Sequence, residues 1–302
     1  MIAVILLGFG SPEKLADVGS FVENVAGRSL PPDRVAASIR KYSLIGGVSP
    51  FCATARAQAK LLETALSTAG SDIRVYLGMR FWEPSVDAAV ADALDDAPER
   101  IILLCLTPFY SGASAGEYLR AAEEALSTRG NQAPVVRIEQ WNEEPALIAG
   151  FAERLTEAVA EGPTDAPVLF TAHSLPQDMI DSGDPYAAQV RRTAELTAAV
   201  AGVTDWQLGW QSEGHGRGAW LKPTAEDILG NWRVAGRQAA LIMPVGFTAD
   251  HLETLYDIDI VMKEQAKGLG LTFARAKCLN EAKPLIAAMT AAVGRNLQTE
   301  VG

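Results

Sequence analysis

Short apolar runs alternate along the chain with longer stretches in which apolar positions recur every three or four residues. The short runs predict strands at residues 4–7, 74–78, 100–106, 135–140, 168–171, 206–211, 239–245 and 271–274. The periodic stretches predict helices at 15–26, 54–68, 84–95, 115–127, 145–161, 186–201, 224–235, 248–265 and 282–297. A run such as Val168-Leu169-Phe170 has no polar alternation, so it reads as a strand buried on both faces, the habit of parallel sheets. Regular alternation of strand and helix then predicts an α/β fold. The phrase A-V-I-L-L-G-F-G-S-P (3–12) resembles A-P-V-L-F-T-A-H-S-L-P (166–176), and aligning Pro12 with Pro176 sets Phe9 opposite His173. Two similar strand-to-turn units predict a duplicated architecture with a cleft between the halves. The change of pattern near Asn142-Glu143-Glu144-Pro145 divides it into domains 1–144 and 145–280, with a last helix in 281–302 that packs back on the first.

Composition narrows the function classes. The 302 residues suffice for two ordinary domains. A net charge of −11, from 26 basic and 37 acidic residues, argues against a nucleic-acid surface or a polybasic membrane patch. No apolar run approaches the roughly 18 residues of a transmembrane helix. The first strand begins at once, without a signal-peptide pattern, so the expected address is the cytoplasm. The cysteines, Cys52, Cys105 and Cys278, are far apart and form no C-x-x-C pair, so neither a structural zinc nor an iron–sulfur cluster is expected.

The candidate chemistry gathers where strands end. His173 closes a predicted strand just before Ser174-Leu175-Pro176, and open α/β sheets bind ligands beyond the carboxyl ends of their strands. The phrase P-V-G-F-T-A-D-H-L-E-T-L-Y-D-I-D (244–259) runs from another strand into a helix. Asp250, Glu253 and Asp257 fall at i, i+3 and i+7, along one helical face. Helix capping accounts for Asp250 and partly for Glu253, and a solvated face would account for Asp257. Turned to the cleft, the three form an oxygen path for a divalent cation, and Glu253 facing His173 makes a mixed N/O site for a transition metal. His251 lies off that line and reads as structural. Gly46-Gly47 permit a turn with positive φ, and Ser49 reads as the N-cap of the next helix or as a ligand contact. The phrase T-P-F-Y-S-G-A-S-A-G-E-Y (107–118) would let a flat ligand approach the backbone. The glycines of 209–223, with Trp210 and Trp220, suggest a mobile lip with aromatic walls, on which His215 is exposed.

Taken together these phrases resemble the ferrochelatase family. The matching stretches are Y-S-L-I-G-G-V-S-P, M-R-F-W-E-P, T-P-F-Y-S, A-H-S-L-P with G-D-P-Y, G-W-Q-S-E-G with W-L-K-P, and V-G-F-T-A-D-H-L-E-T-L-Y-D, in family order from about residue 4 to 286. The resemblance implies two Rossmann-like, chelatase-type domains, each a parallel four-stranded sheet flanked by helices, with a porphyrin held between them. It implies insertion of ferrous iron, the metal being a substrate. The family's histidine and glutamate map onto His173 and Glu253 as catalytic pair and metal ligands, with Asp257 beside them. The phrases look most like the Gram-positive and actinobacterial branch, which metallates coproporphyrin III. That branch implies porphyrin contacts at Lys41, Tyr42, Ser49 and Tyr118, with Phe9 at the axial position and Trp210 on the lip. The implied partners are a porphyrin and, transiently, neighbouring heme-pathway enzymes.

The chain departs from the branch at three positions. Phe9 stands where a metal-ligating tyrosine is usual, Val25 where an arginine helps hold a propionate, and Val261 where a glutamate extends the acidic file. The alternatives are a protoporphyrin IX ferrochelatase, a chelatase for another metal or tetrapyrrole such as cobalt, and a non-catalytic porphyrin- or heme-binding protein.

Overall fold

Burial sorts the apolar runs into two parallel sheets. The computed structural model describes residues 1–67, 72–214 and 218–297. They divide into two units: Met1–Glu144 together with the described part of the segment from Asn280 onward, and Pro145–Leu279.

In the first unit the strands are β1 (Ile2–Gly8), β2 (Ile73–Met79), β3 (Arg100–Cys105) and β4 (Val135–Ile138), in the order β2-β1-β3-β4. All pairs are parallel. Alternate residues Ala3, Ile5, Leu7, Ile101, Leu103 and Cys105 face helices α4 (Val86–Asp95) and α5 (Ala115–Thr128), the two-residue period a strand imposes. Helix α3 (Phe51–Ser67) packs against β2 and against α11 (Lys283–Leu297), which reaches β3 and β4. Within this unit Gln58 donates to the Asn280 carbonyl at 2.6 Å, Arg100 donates to that of Leu297 at 3.1 Å, and Arg295 pairs with the buried Glu144.

The second unit repeats the plan. Its strands are β5 (Val168–His173), β6 (Trp206–Gln211), β7 (Ala239–Met243) and β8 (Thr272–Arg275), in the order β6-β5-β7-β8. Helices α6 (Pro145–Glu161) and α8 (Tyr186–Ala201) pack together and meet β7 and β6 respectively. Leu169, Ala240 and Ile242 form a second core with Ile228, Leu229 and Trp232 of α9 (Ala225–Val234) and with Ile258 and Met262 of a π-helix (Glu253–Met262). The π-helix runs on into α10 (Lys263–Gly268). In the order β6-β5-β7 the chain reverses direction at β5, so the crevice beyond β5 and β7 is the topological switch point where such sheets take ligands.

The elements differ from expectation in four places. The stretch expected as one helix at 15–26 is a 3-10 turn, Leu15–Asp17, followed by α1 (Val18–Ala26). Helix α2 (Pro32–Leu44) was unforeseen because only Tyr42 of its thirteen residues is buried, leaving no apolar stripe to read. The short α7 (Gln177–Asp181) buries nothing and gives no signal either. The helix expected from 248 begins later and has the wider π geometry. Ser49 also shifts: α3 starts at Phe51, the Pro50 carbonyl accepts from Thr54 N–H, and the Ser49 hydroxyl accepts from Phe51 N–H at 3.3 Å. Ser49 therefore stands one residue ahead of the cap.

Candidate active site

His173 is the last residue of β5, held by contacts that fix both its backbone and its ring. Gly246 lies so close to the strand end that an added Cβ would sit 2.5 Å from the Ala172 Cβ, and its N–H donates to the Thr171 carbonyl at 3.0 Å. Tyr186, at the start of α8, donates its hydroxyl to the His173 carbonyl at 3.1 Å and lies 6.0 Å from the Trp210 ring. Burial, with the Glu253 and Asp184 carboxylates, pushes the Tyr186 phenol far up, so it stays a donor. The His173 Nδ1 is 2.6 Å from the Ser174 carbonyl. A carbonyl only accepts, so Nδ1 carries a proton, and in the neutral ring the lone pair is on Nε2.

That lone pair faces Glu253. Nε2 and Oε1 stand 3.5 Å apart, each side chain about one-third exposed. Glu253 is placed by the start of the π-helix, where His251 acts as the cap. The His251 Nδ1 accepts the Glu253 N–H at 3.0 Å, and the His251 N–H donates to the Thr254 hydroxyl at 3.0 Å. An accepting Nδ1 requires neutral imidazole. Burial pushes the His251 pKa down, outweighing the Glu253 and Asp250 carboxylates. The Phe247 ring lies 4.8 Å away, edge-on. The cap expected from Asp250 is thus supplied by His251, because the Asp250 carboxylate is engaged by Thr254 at 3.2 Å and by Arg275 at 3.1 Å.

Asp257 follows one wide turn later and accepts from the Ser212 hydroxyl at 2.6 Å. Ser212 adopts φ +60, a left-handed conformation that a non-glycine residue holds at a cost. Beside it, Gln211 donates to the Glu253 carbonyl at 3.3 Å, and its Oε1 is buried without a partner, as are Ser174 Oγ and Thr171 Oγ1. Buried polar atoms of this kind call for water or a ligand. Among the described residues no three His, Cys, Asp or Glu side chains form one metal-holding group. The structure therefore brings His173 and Glu253 together, with Asp257 further along the same helix as Glu253.

Trp210, expected as an aromatic wall of a mobile lip, is 3% exposed and supports Tyr186 from inside the unit. The reading of His215 as exposed lies outside the described residues. The other candidates belong to the first unit. Phe9 follows β1 and is 38% exposed, with Phe81 at 4.9 Å and Phe21 at 6.1 Å. Lys41 is exposed on the last turn of α2, beside the buried Tyr42, and Gly46 and Gly47 take φ +96 and +91 just beyond. Ser49 is buried, and Tyr118 packs in the core beneath α5. The cysteines are buried too, and burial pushes the Cys105 thiol up to about 12 and that of Cys278 well above its ordinary range. No described helix is long and apolar enough to cross a membrane.

Sequence reasoning missed Tyr186, Gln211, Ser212 and Arg275. Gln211 and Ser212 had a signal: a strand paired in parallel with β5 ends beside His173, and the register does place Gln211 opposite it. Arg275 had only a basic residue ending a weak strand.

Three comparisons bear on this site. The sequence profile of the family described as Ferrochelatase matches residues 1–297. A protein named Ferrochelatase from Deinococcus radiodurans is 34% identical, covering 97% of this chain and 95% of its own. A Coproporphyrin III ferrochelatase from Anoxybacillus flavithermus is 34% identical over 99% and 98%. Among solved structures, SirB from Bacillus subtilis with Fe3+ aligns with a TM-score of 0.63 at 11% identity, covering 98% of this chain and 96% of that one, a likeness of fold.

Proposed function

The chain belongs to the ferrochelatase family, and from that premise we propose that it inserts ferrous iron into coproporphyrin III, giving coproheme in the cytoplasm. The observation that carries the mechanism is the 3.5 Å approach of His173 Nε2 to Glu253 Oε1. Two acceptors at that distance attract only through a cation between them, a proton or a metal.

Insertion demands that two pyrrole protons leave the macrocycle and that hydrated iron shed water. His173, with Nδ1–H anchored on Ser174, offers Nε2 as base for a pyrrole proton or as ligand for the incoming iron. Glu253 supplies the facing carboxylate, replacing water on the iron or passing the proton outward. Asp257 continues that route one turn on. Planar porphyrin hides its nitrogen lone pairs, so a site that favours a distorted ring lowers the barrier by differential binding. The relative from Anoxybacillus, named for coproporphyrin III, supports that porphyrin as substrate.

The test is anaerobic metallation of coproporphyrin III and of protoporphyrin IX with ferrous iron, followed by loss of free-porphyrin absorbance. Turnover of coproporphyrin III in preference supports the reading. Preference for protoporphyrin IX overturns the substrate, and turnover only with cobalt overturns the metal. Tight binding without turnover of any metal makes the protein a porphyrin carrier.

A further inference from the structure

The helix bearing Glu253 and Asp257 is gripped from outside by one cation. Arg275 ends β8 and is 13% exposed. Its Nε and Nη2 donate to the two Asp259 oxygens at 2.6 and 2.8 Å, while Nη1 donates to Asp250 Oδ1 at 3.1 Å. The Ala276 carbonyl, at 3.4 Å from Nη1, and the Cys278 sulfur, at 3.8 Å, complete its surroundings. Burial opposes the charge, but the Asp259 contacts and the field of Asp250 outweigh it, so the guanidinium stays charged. Asp250 immediately precedes His251, the cap of Glu253, and Asp259 lies two residues beyond Asp257. One planar group thus ties together the two sides of the segment that presents both carboxylates.

We propose that Arg275 is a positioning residue for metal insertion, a brace that sets the register of the π-helix and with it the placement of Glu253 and Asp257. The inference rests on the functional reading above. A π-turn closes through i→i+5 hydrogen bonds and is rare beside the α form, so something must hold it. Relaxing one turn to α geometry advances every later residue by one step, about 100° around the axis. Asp259 would then leave the fork of Arg275, breaking a bidentate pair while Asp250 still held the other nitrogen. Lysine cannot replace the brace: its ammonium is a point charge, without the rigid fork that meets two carboxylates in fixed directions.

The experiment measures kcat and KM for porphyrin and iron with Arg275→Lys and with the double variant Asp259→Asn/Arg275→Gln, which removes an opposite charge pair. His173→Ala serves as the inactive reference. Arg275→Lys is expected to lose roughly 10–100-fold in kcat, with porphyrin KM changed less than about twofold. The double variant is expected to lose a similar factor, since neutral partners do not restore the fork. Wild-type kcat in either folded variant overturns the proposal, as does a loss confined to KM. An inactive wild type would sink the functional reading instead, and an active His173→Ala would sink its mechanism. Should Arg275→Lys not fold, the double variant decides alone.

Discussion

With Nδ1–H tied to Ser174, His173 presents a lone pair that only a proton or a metal can bring into contact with Glu253. His173→Ala is therefore expected to abolish metallation while porphyrin still binds, seen as quenched porphyrin fluorescence without turnover. Retained turnover would dismiss the residue. At Ser212 two effects are separable. Ser212→Gly relieves the φ +60 strain, worth about 1–2 kcal/mol, whereas Ser212→Ala keeps it. Both lose the hydrogen bond to Asp257. Equal losses of kcat, despite a higher melting temperature for the glycine variant, would assign the role to the hydroxyl. Gly246→Ala forces a methyl against Ala172 and is expected to cost about 1–3 kcal/mol, measurable by urea unfolding. His173 was legible because a buried strand running into Ser-Leu-Pro has its last residue at the mouth of a sheet. His251 was legible only as structural: nothing in D-H-L-E says which neighbour will cap the turn.

Elements were legible in proportion to how much they bury. The β1 strand, six of whose seven residues are buried, announces itself, while α2 with one buried residue does not. The π-helix was hidden for another reason. Carboxylates at i and i+4 share a face in α and π forms alike, so spacing cannot distinguish them, and only tertiary partners select one. Helix α9 opens with a capping box in which the Thr224 hydroxyl accepts the Asp227 N–H at 3.0 Å and Asp227 accepts the Thr224 N–H at 3.1 Å. Thr224→Ala is expected to cost about 1 kcal/mol, read as a lower melting temperature. The Thr224 backbone N–H lowers the Asp227 pKa, so the folded state binds that proton less readily than the unfolded one. This contribution is present above the ordinary carboxylate range near pH 4 and is lost as pH falls through the lowered folded value. Asp227→Asn should flatten the dependence of melting temperature on pH there, and an unchanged slope would count against it.

At the scale of the molecule, two sheets with one topology, β2-β1-β3-β4 and β6-β5-β7-β8, repeat a plan already visible in the matching phrases around Gly8 and His173. Helix α11, almost at the far end of the described chain, serves the first unit through Leu285, Met289 and Val293 and through the Glu144–Arg295 pair. Arg295→Ala leaves a buried carboxylate short of a partner and is expected to cost about 1–3 kcal/mol, seen as faster amide exchange in α3 and β3. That return of the chain has a consequence for synthesis. Residues emerge from the ribosome at roughly 5–20 per second, so α11 appears only after the whole of the second unit has been made. For some seconds the apolar surface of the first sheet that α11 will cover stays bare, a target for chaperones or for neighbouring nascent chains. The unit begun first is the one completed last.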